Sequence, residues 1–290
     1  MVEVGADPQI TDLAVNDHAC LTFGDAEELI DLTAAFISDG LESGFKVLWV
    51  GESAAGAESV LADRGLPVIS AVASGQMRTL GTEGQVLAHQ EFRSDRAIEW
   101  LTSQVAVCEA EGFTGLRVAL DMGWALRPVN GVAQLTDFEE KAAGVVADNK
   151  VIMLCQYDRA RFDPVTLASV VPAHTRPVAA ATYHADAVLR ICRQYAPPGV
   201  RLAGEIDYRA AEPLALALAE ALRIDTDITM NLRDLSFIDA SCARMILDAA
   251  RSLGGERRMI LWCTPVIADL FLRFDALSVP SASVVTVRDH

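Results

Sequence analysis

The sequence predicts an α/β protein of two domains, the first a doubly wound parallel sheet and the second a smaller α/β sheet. Three observations lead there. Short, continuous apolar runs alternate with stretches of helical periodicity through the first two thirds of the chain, as buried parallel strands joined by crossover helices do. A Pro-Pro-Gly break at 197–199 separates this part from a second series of strands and helices. The length, 290 residues, is also too great for one module of ordinary size.

Ala19 to Phe23, Lys46 to Val50, Gly115 to Leu120 and Val151 to Tyr157 read as strands, apolar throughout rather than alternating. Asp25 to Leu41 and Asp95 to Ala110 read as helices, with Leu29, Leu32, Phe36 and Leu41 on one side of the first. The segment 190–199, Arg-Ile-Cys-Arg-Gln-Tyr-Ala-Pro-Pro-Gly, loses periodicity and reads as a linker. Beyond it, strands near 200–206, 227–233, 258–263 and 282–287 alternate with helices near 212–223, 241–253 and 264–274. Thr264-Pro265 marks the last helix start, a capping hydroxyl followed by proline at the first helical position. The expected division is an arm over 1–13, a first domain over 14–189, a linker over 190–199 and a second domain over 200–290.

Composition narrows the function. A net charge of −16 gives no electrostatic attraction for nucleic acid or an acidic membrane. The N-terminus lacks the basic and apolar regions of a signal peptide, and no apolar run reaches membrane-spanning length, so the chain reads as cytoplasmic. Six cysteines, at 20, 108, 155, 192, 242 and 263, show no Cys-x-x-Cys pair or other metal spacing and read as reduced core residues.

Three motifs stand out in the first domain: Asp17-His-Ala-Cys20, Gly115-Leu-Arg-Val-Ala-Leu-Asp-Met-Gly-Trp124-Ala-Leu-Arg127, and Leu154-Cys-Gln-Tyr-Asp158 with Phe162 beyond. Together, over about Asn16 to Tyr183, they resemble the MEDS domain, a sensory module similar to RecA and KaiC P-loop ATPases. The resemblance implies a RecA/KaiC-like parallel sheet and the sensing of a small ligand or partner. A working phosphate loop needs glycines, a lysine and a hydroxyl after its first strand. The corresponding turn, Phe23-Gly-Asp-Ala-Glu-Glu-Leu29, has one glycine, no lysine and three carboxylates. Asp121 ends its strand as a Walker B aspartate does, with no nucleotide-bound metal to hold, so the chain is not expected to be an enzyme. A degenerate P-loop-type nucleotide-binding or hydrolysing protein is the alternative.

Ligands of open α/β sheets bind beyond the carboxyl ends of the strands, where Thr22, Phe23, Asp121, Trp124, Gln156, Tyr157 and Asp158 would gather around a small organic molecule. Phe23 and Trp124 could equally be core. His18 and Cys20, two apart on a strand, share a face compatible with a metal, a redox sensor or a ligand. Two ligands do not make a zinc site, and Cys155, on a strand that RecA-like order places beside the first, is the obvious third. The reading adopted is a hydrogen-bonded histidine among buried thiols, with neither metal nor cofactor; His89, His174 and His184 stand isolated.

In the second domain, Ile228, Met230 and Leu232 alternate as a strand, and Met245, Ile246, Ala249 and Leu253 recur at helical spacing. Ser241 falls in the helix's first turn, where free amides can receive a phosphate or a side chain can simply cap. With Leu202-Ala-Gly-Glu-Ile-Asp207 and a helix from about Pro213, this stretch resembles the STAS domain of anti-sigma factor antagonists. The resemblance implies that a partner anti-sigma factor and serine kinase docks on Asp239, Ser241, Cys242 and Met245 and is released when Ser241 is phosphorylated. Ala240 and Cys242 depart from the family's usual residues. The function expected from both halves is non-catalytic signalling by partner switching, with a pure interaction scaffold as the remaining alternative.

Overall fold

The structure, a computed structural model, describes residues 9–52, 57–274 and 276–286; most of the expected arm 1–13 and the last residues of the chain lie outside these. The chain forms two compact units, divided between Ala179 and Ala180.

The first unit contains β1 (His18–Phe23), α1 (Ala26–Glu42), β2 (Lys46–Val50), α2 (Ala57–Asp63), α3 (Val68–Ala73), β3 (Met77–Leu80), a two-residue ribbon of β4 (Leu87–Ala88) and β5 (Glu91–Phe92), α4 (Ser94–Ala110), β6 (Leu116–Asp121), α5 (Leu135–Asp148), β7 (Val151–Asp158), α6 (Pro164–Val170) and β8 (Arg176–Val178). Six of these strands make one sheet in the order β3-β2-β6-β7-β1-β8, every pair parallel. Both faces are covered, which is why these strands are apolar throughout. The side chains of Val118, Leu120, Met153 and Cys155 join Leu101, Leu135 and Phe138 of α4 and α5 in one core. On the other face α1 packs against β2 and β6. Asp25 caps α1 by accepting the Glu28 amide at 2.8 Å, which fixes where the first strand turns into helix. The expectation that β7 lies beside β1 holds, with Cys20 level with Cys155.

The second unit contains β9 (Thr182–Ala185), β10 (Leu189–Tyr195), β11 (Pro198–Ile206), α7 (Ala211–Ile224), β12 (Ile228–Ile238), α8 (Ala240–Arg251), β13 (Met259–Cys263), α9 (Pro265–Arg273) and β14 (Ala282–Thr286). Its sheet, β14-β13-β12-β11-β10-β9, is mixed: the four strands from β11 to β14 run parallel, and β9 and β10 pair antiparallel at the other edge. The expected linker 190–199 is corrected here, because its residues are the hairpin of β10 and β11. Its proline and glycine lie at the tight connection. The second of its two arginines is structural, since Arg193 forks onto Asp225 at 2.5 and 2.6 Å with both residues buried.

Gly204 shows how closely this hairpin is built. Its φ is +101°, and a Cβ there would lie 1.9 Å from the Val188 carbonyl oxygen. Gly204→Ala combines strain with a backbone clash and is expected to cost about 2 kcal/mol or more in urea unfolding. Limited proteolysis of the full chain is expected to cut near 179–181 and to spare 197–199; cleavage at the prolines would mean that the hairpin does not form.

Candidate functional site

Polar side chains converge at one place inside the first unit, on the sheet face covered by α5. Glu139 is the centre. It falls in the buried stripe of α5 with Leu135, Phe138, Ala142 and Val146, and is itself fully buried. Four side chains meet its two oxygens. Tyr157 donates its hydroxyl to Oε1. The Cys155 thiol lies 3.3 Å from Oε2, His18 Nε2 3.2 Å and His174 Nε2 3.5 Å. His18 Nε2 is also 3.4 Å from Cys155 Sγ, and the two imidazole rings lie 4.2 Å apart.

Strand order produces this meeting. His18 starts β1, Cys155 and Tyr157 alternate on β7 beside it, and His174 precedes β8 on the other flank of β1. Asn16 holds the approach to β1 by donating to the carbonyls of Val146, Ala147 and Asn149 at the end of α5. Thr175 fixes the other side, because the His18 amide donates to its hydroxyl at 3.1 Å and its own amide donates to the His18 carbonyl at 2.7 Å.

The rings are oriented as well as placed. His18 Nδ1 lies 3.1 Å from the Ala173 carbonyl and His174 Nδ1 2.9 Å from that of Val170. A carbonyl oxygen only accepts, so each Nδ1 carries the proton. Both Nε2 atoms are thereby turned on the carboxylate, and His174 Nε2 finds no hydrogen-bond donor or acceptor there.

The electrostatics follow from this packing. Burial pushes the Glu139 carboxyl up, but a hydrogen bond from His18 and the charges of His18 and His174, in the protonated form of the rings, outweigh it and hold the group below its ordinary value; burial in turn lowers the His174 pKa and favours its neutral ring. Burial, followed by repulsion from Glu139, raises the Cys155 thiol well above the ordinary range and pushes Cys20 up to about 12. The Tyr157 hydroxyl is raised for the same reasons. Thiols held protonated in this way are poor nucleophiles, which weighs against the redox-sensor reading of this face.

The carboxyl end of the sheet has a different character. Gly24 donates its amide to the buried Glu28 at 2.8 Å, Asp25 takes the Glu28 amide, and Glu27 pairs with Arg64 at 2.6 Å. Arg159 reaches Glu28 at 3.4 Å. Asp121 caps the short 3-10 turn Met122–Leu126 through the Gly123 amide at 2.8 Å, and burial raises its pKa against that amide's pull.

Of the side chains expected to line the crevice, Thr22, Phe23, Asp121 and Asp158 do stand at the strand ends. Trp124 and Tyr157 do not form its walls. Trp124 is fully buried against Phe92, with ring centroids 4.3 Å apart, and Tyr157 points into the Glu139 cluster. Gln156 is buried on the opposite face, donating to Thr33 of α1 at 2.7 Å. His18 joins the buried cluster, with Cys20 on the same face. Glu139 escaped the sequence reading, and the expectation that His174 stands isolated is corrected, since its ring joins His18 and Glu139. A single carboxylate inside the apolar stripe Leu135, Phe138, Ala142, Val146 was the available signal for Glu139; His174 carried none.

In the second unit Ser241 is exposed and donates its hydroxyl to Asp239 at 2.7 Å. Asp239 is the cap of α8, accepting the amides of Cys242 and Tyr208 at 2.8 Å each. Cys242 is fully buried and Met245 packs on the core, so the expected docking surface of Asp239, Ser241, Cys242 and Met245 is corrected: Cys242 offers a partner nothing.

Fold and site together define a parallel α/β domain, covered on both faces, with a polar cluster in its core. Residues 17–175 match the family described as MEthanogen/methylotroph, DcmR Sensory domain, and the chain belongs to this MEDS family. Among solved structures, it is similar to a KaiC-like protein of the hyperthermophilic archaeon Pyrococcus horikoshii OT3, at 12% identity and a TM-score of 0.46 over 66% of this chain and 80% of that one. It is also similar to the flagellar accessory protein FlaH of Methanocaldococcus jannaschii, at 11% identity and a TM-score of 0.45 over 67% of this chain and 92% of that one. The expectation of an anti-sigma factor antagonist switched at Ser241 is corrected by these findings. The family is that of a sensory domain, and its match, over residues 17–175, ends before the second unit.

No helix of the described residues is long and apolar enough to cross a membrane. Tyr157→Phe leaves Glu139 Oε1 buried without its donor, and is expected to lower unfolding free energy by about 1–3 kcal/mol in urea titration. An unchanged midpoint would mean that the hydroxyl contributes nothing to holding the carboxylate.

Proposed function

We propose that the first unit is a degenerate domain of the P-loop type, a receptor that keeps the frame of a nucleotide-binding sheet and has given up phosphate chemistry. The observation that carries this reading is the loop after β1. A phosphate site needs backbone amides left unsatisfied at a helix start. Here the Gly24 amide and the first turn of α1 are held by Glu28 and Asp25, and the added carboxylates repel an anion. The family's sensory character then rests with the polar cluster around Glu139, which is the feature of this face able to discriminate a ligand. The likeness of the second unit to a STAS domain is kept as a resemblance in the order of its strands and helices from Val200 onward, with no antagonist role attached. That unit is the element through which a receptor of this kind would act on a partner protein.

Calorimetric titration of the full chain with ATP and magnesium, run beside a phosphate-release assay, is expected to give no binding tighter than about millimolar and no turnover. Micromolar binding that is lost in Asp121→Ala would overturn this reading and establish a working nucleotide site.

A further inference from the structure

We propose that His18, Glu139, Cys155 and His174 form a four-coordinate site for a divalent transition-metal ion of the zinc type, inside the covered face of the first sheet. The inference goes beyond the receptor reading and does not depend on the loop at Gly24.

Geometry is the first support. Each of the four side chains offers one ligand atom, and these atoms all lie within 4.8 Å of one another. Zinc bonds of about 2.0–2.3 Å to nitrogen, oxygen and sulfur give tetrahedral edges of roughly 3.3–3.8 Å. Four of the six edges here are 3.2, 3.3, 3.4 and 3.5 Å and the other two are no longer than 4.8 Å, so His18, Glu139 and Cys155 already hold tetrahedral spacing and a small shift of the His174 ring would close the shell.

Orientation is the second and independent support. A metal-binding histidine gives its other ring N–H to a carbonyl or carboxylate, which fixes the tautomer that leaves a lone pair for the ion. Both histidines do this, through Ala173 and Val170. His174 Nε2 is the decisive atom. It is buried, lacks a hydrogen-bond partner and points at Glu139 Oε2, so that an acceptor faces an acceptor. A cation between them resolves the conflict. Tyr157 bonds Oε1 and leaves Oε2 for the ion, the same role that the two carbonyls play for the rings.

Charge is the third. On binding, the ion displaces the Cys155 thiol proton to solvent and forms a metal–thiolate bond, with no change in oxidation state. One thiolate, one carboxylate and two neutral imidazoles then balance a dication, so no net charge is buried. The mixture of imidazole and thiolate disfavours magnesium and calcium. Four protein ligands leave the shell closed, which suits metal holding or metal sensing rather than hydrolysis.

The test uses Co²⁺ as the probe, added to the reduced, chelator-treated full chain. One equivalent is expected to bind with the strong visible bands of four-coordinate cobalt and a thiolate-to-cobalt charge-transfer absorption, to be displaced by Zn²⁺, and to raise the unfolding midpoint. Cys155→Ser is expected to abolish the charge-transfer absorption, His174→Ala to weaken binding by at least roughly tenfold, and His184→Ala, in the second unit, to change neither. Wild-type protein without a one-equivalent, thiolate-bearing transition would overturn the proposal, whatever the variants do. So would a wild-type spectrum that persists unchanged in both Cys155→Ser and His174→Ala. The ATP titration reads a different site, so either proposal can fail alone.

Discussion

One buried carboxylate sets the terms for the rest of the first unit. Glu139 lies where water cannot solvate it, and an ionised carboxylate in that position costs several kcal/mol unless its oxygens are satisfied. The surrounding fold answers that requirement. Tyr157 and Cys155 come from the strand beside β1, His18 from β1 itself and His174 from the turn before β8, so three neighbouring strands must lie in this order for the charge to be tolerated. Asn16 and Thr175 serve the same end at one remove, since they hold the start of β1 between the end of α5 and the start of β8. A polar cluster of this kind adds little net stability, but it penalises any register in which one partner is missing.

The two faces and ends of this sheet treat polar groups in opposite ways. At the carboxyl end, the amides that a phosphate would need are already bonded to the chain's own carboxylates, and the remaining acids are matched to Arg64 and Arg159. On the covered face, by contrast, the buried His174 Nε2 has no hydrogen-bond partner and lies 3.5 Å from Glu139 Oε2. Selectivity for a ligand follows from unsatisfied groups. That criterion is what places the proposed metal site under α5 and what the acidic loop after β1 sets against a phosphate.

How much of this could be read from the sequence depended on whether the signal was local. β1, β2, β6, β7, α1 and α4 were legible because apolar runs and caps declare themselves within a few residues; Asp25, for example, both starts α1 and closes the loop. The hairpin of β10 and β11 was not, because Arg193 and the two prolines look like a linker until Asp225, 32 residues away, supplies the buried partner for the arginine. The MEDS motifs contain His18, Cys155 and Tyr157, which the fold brings together around Glu139. They led to the wrong grouping for Tyr157 and Trp124, because a strand's alternation says which residues share a face but not which face a helix covers.

Glu139 and His174 show where local reading stops. A glutamate within an apolar helical stripe is conspicuous, yet its meaning depends on four residues that lie from 16 to 121 positions away in the chain. His174 lies in an unremarkable stretch, and only the pairing of β8 with β1 brings it to the cluster. The second unit makes the converse point. Asp239 and Ser241 form a conspicuous local pattern, and the structure gives it a local explanation: Asp239 caps α8, Ser241 bonds the cap, and Cys242 packs inward. A motif that its own helix start fully accounts for carries less functional weight than a scattered set of residues that no local rule would have assembled.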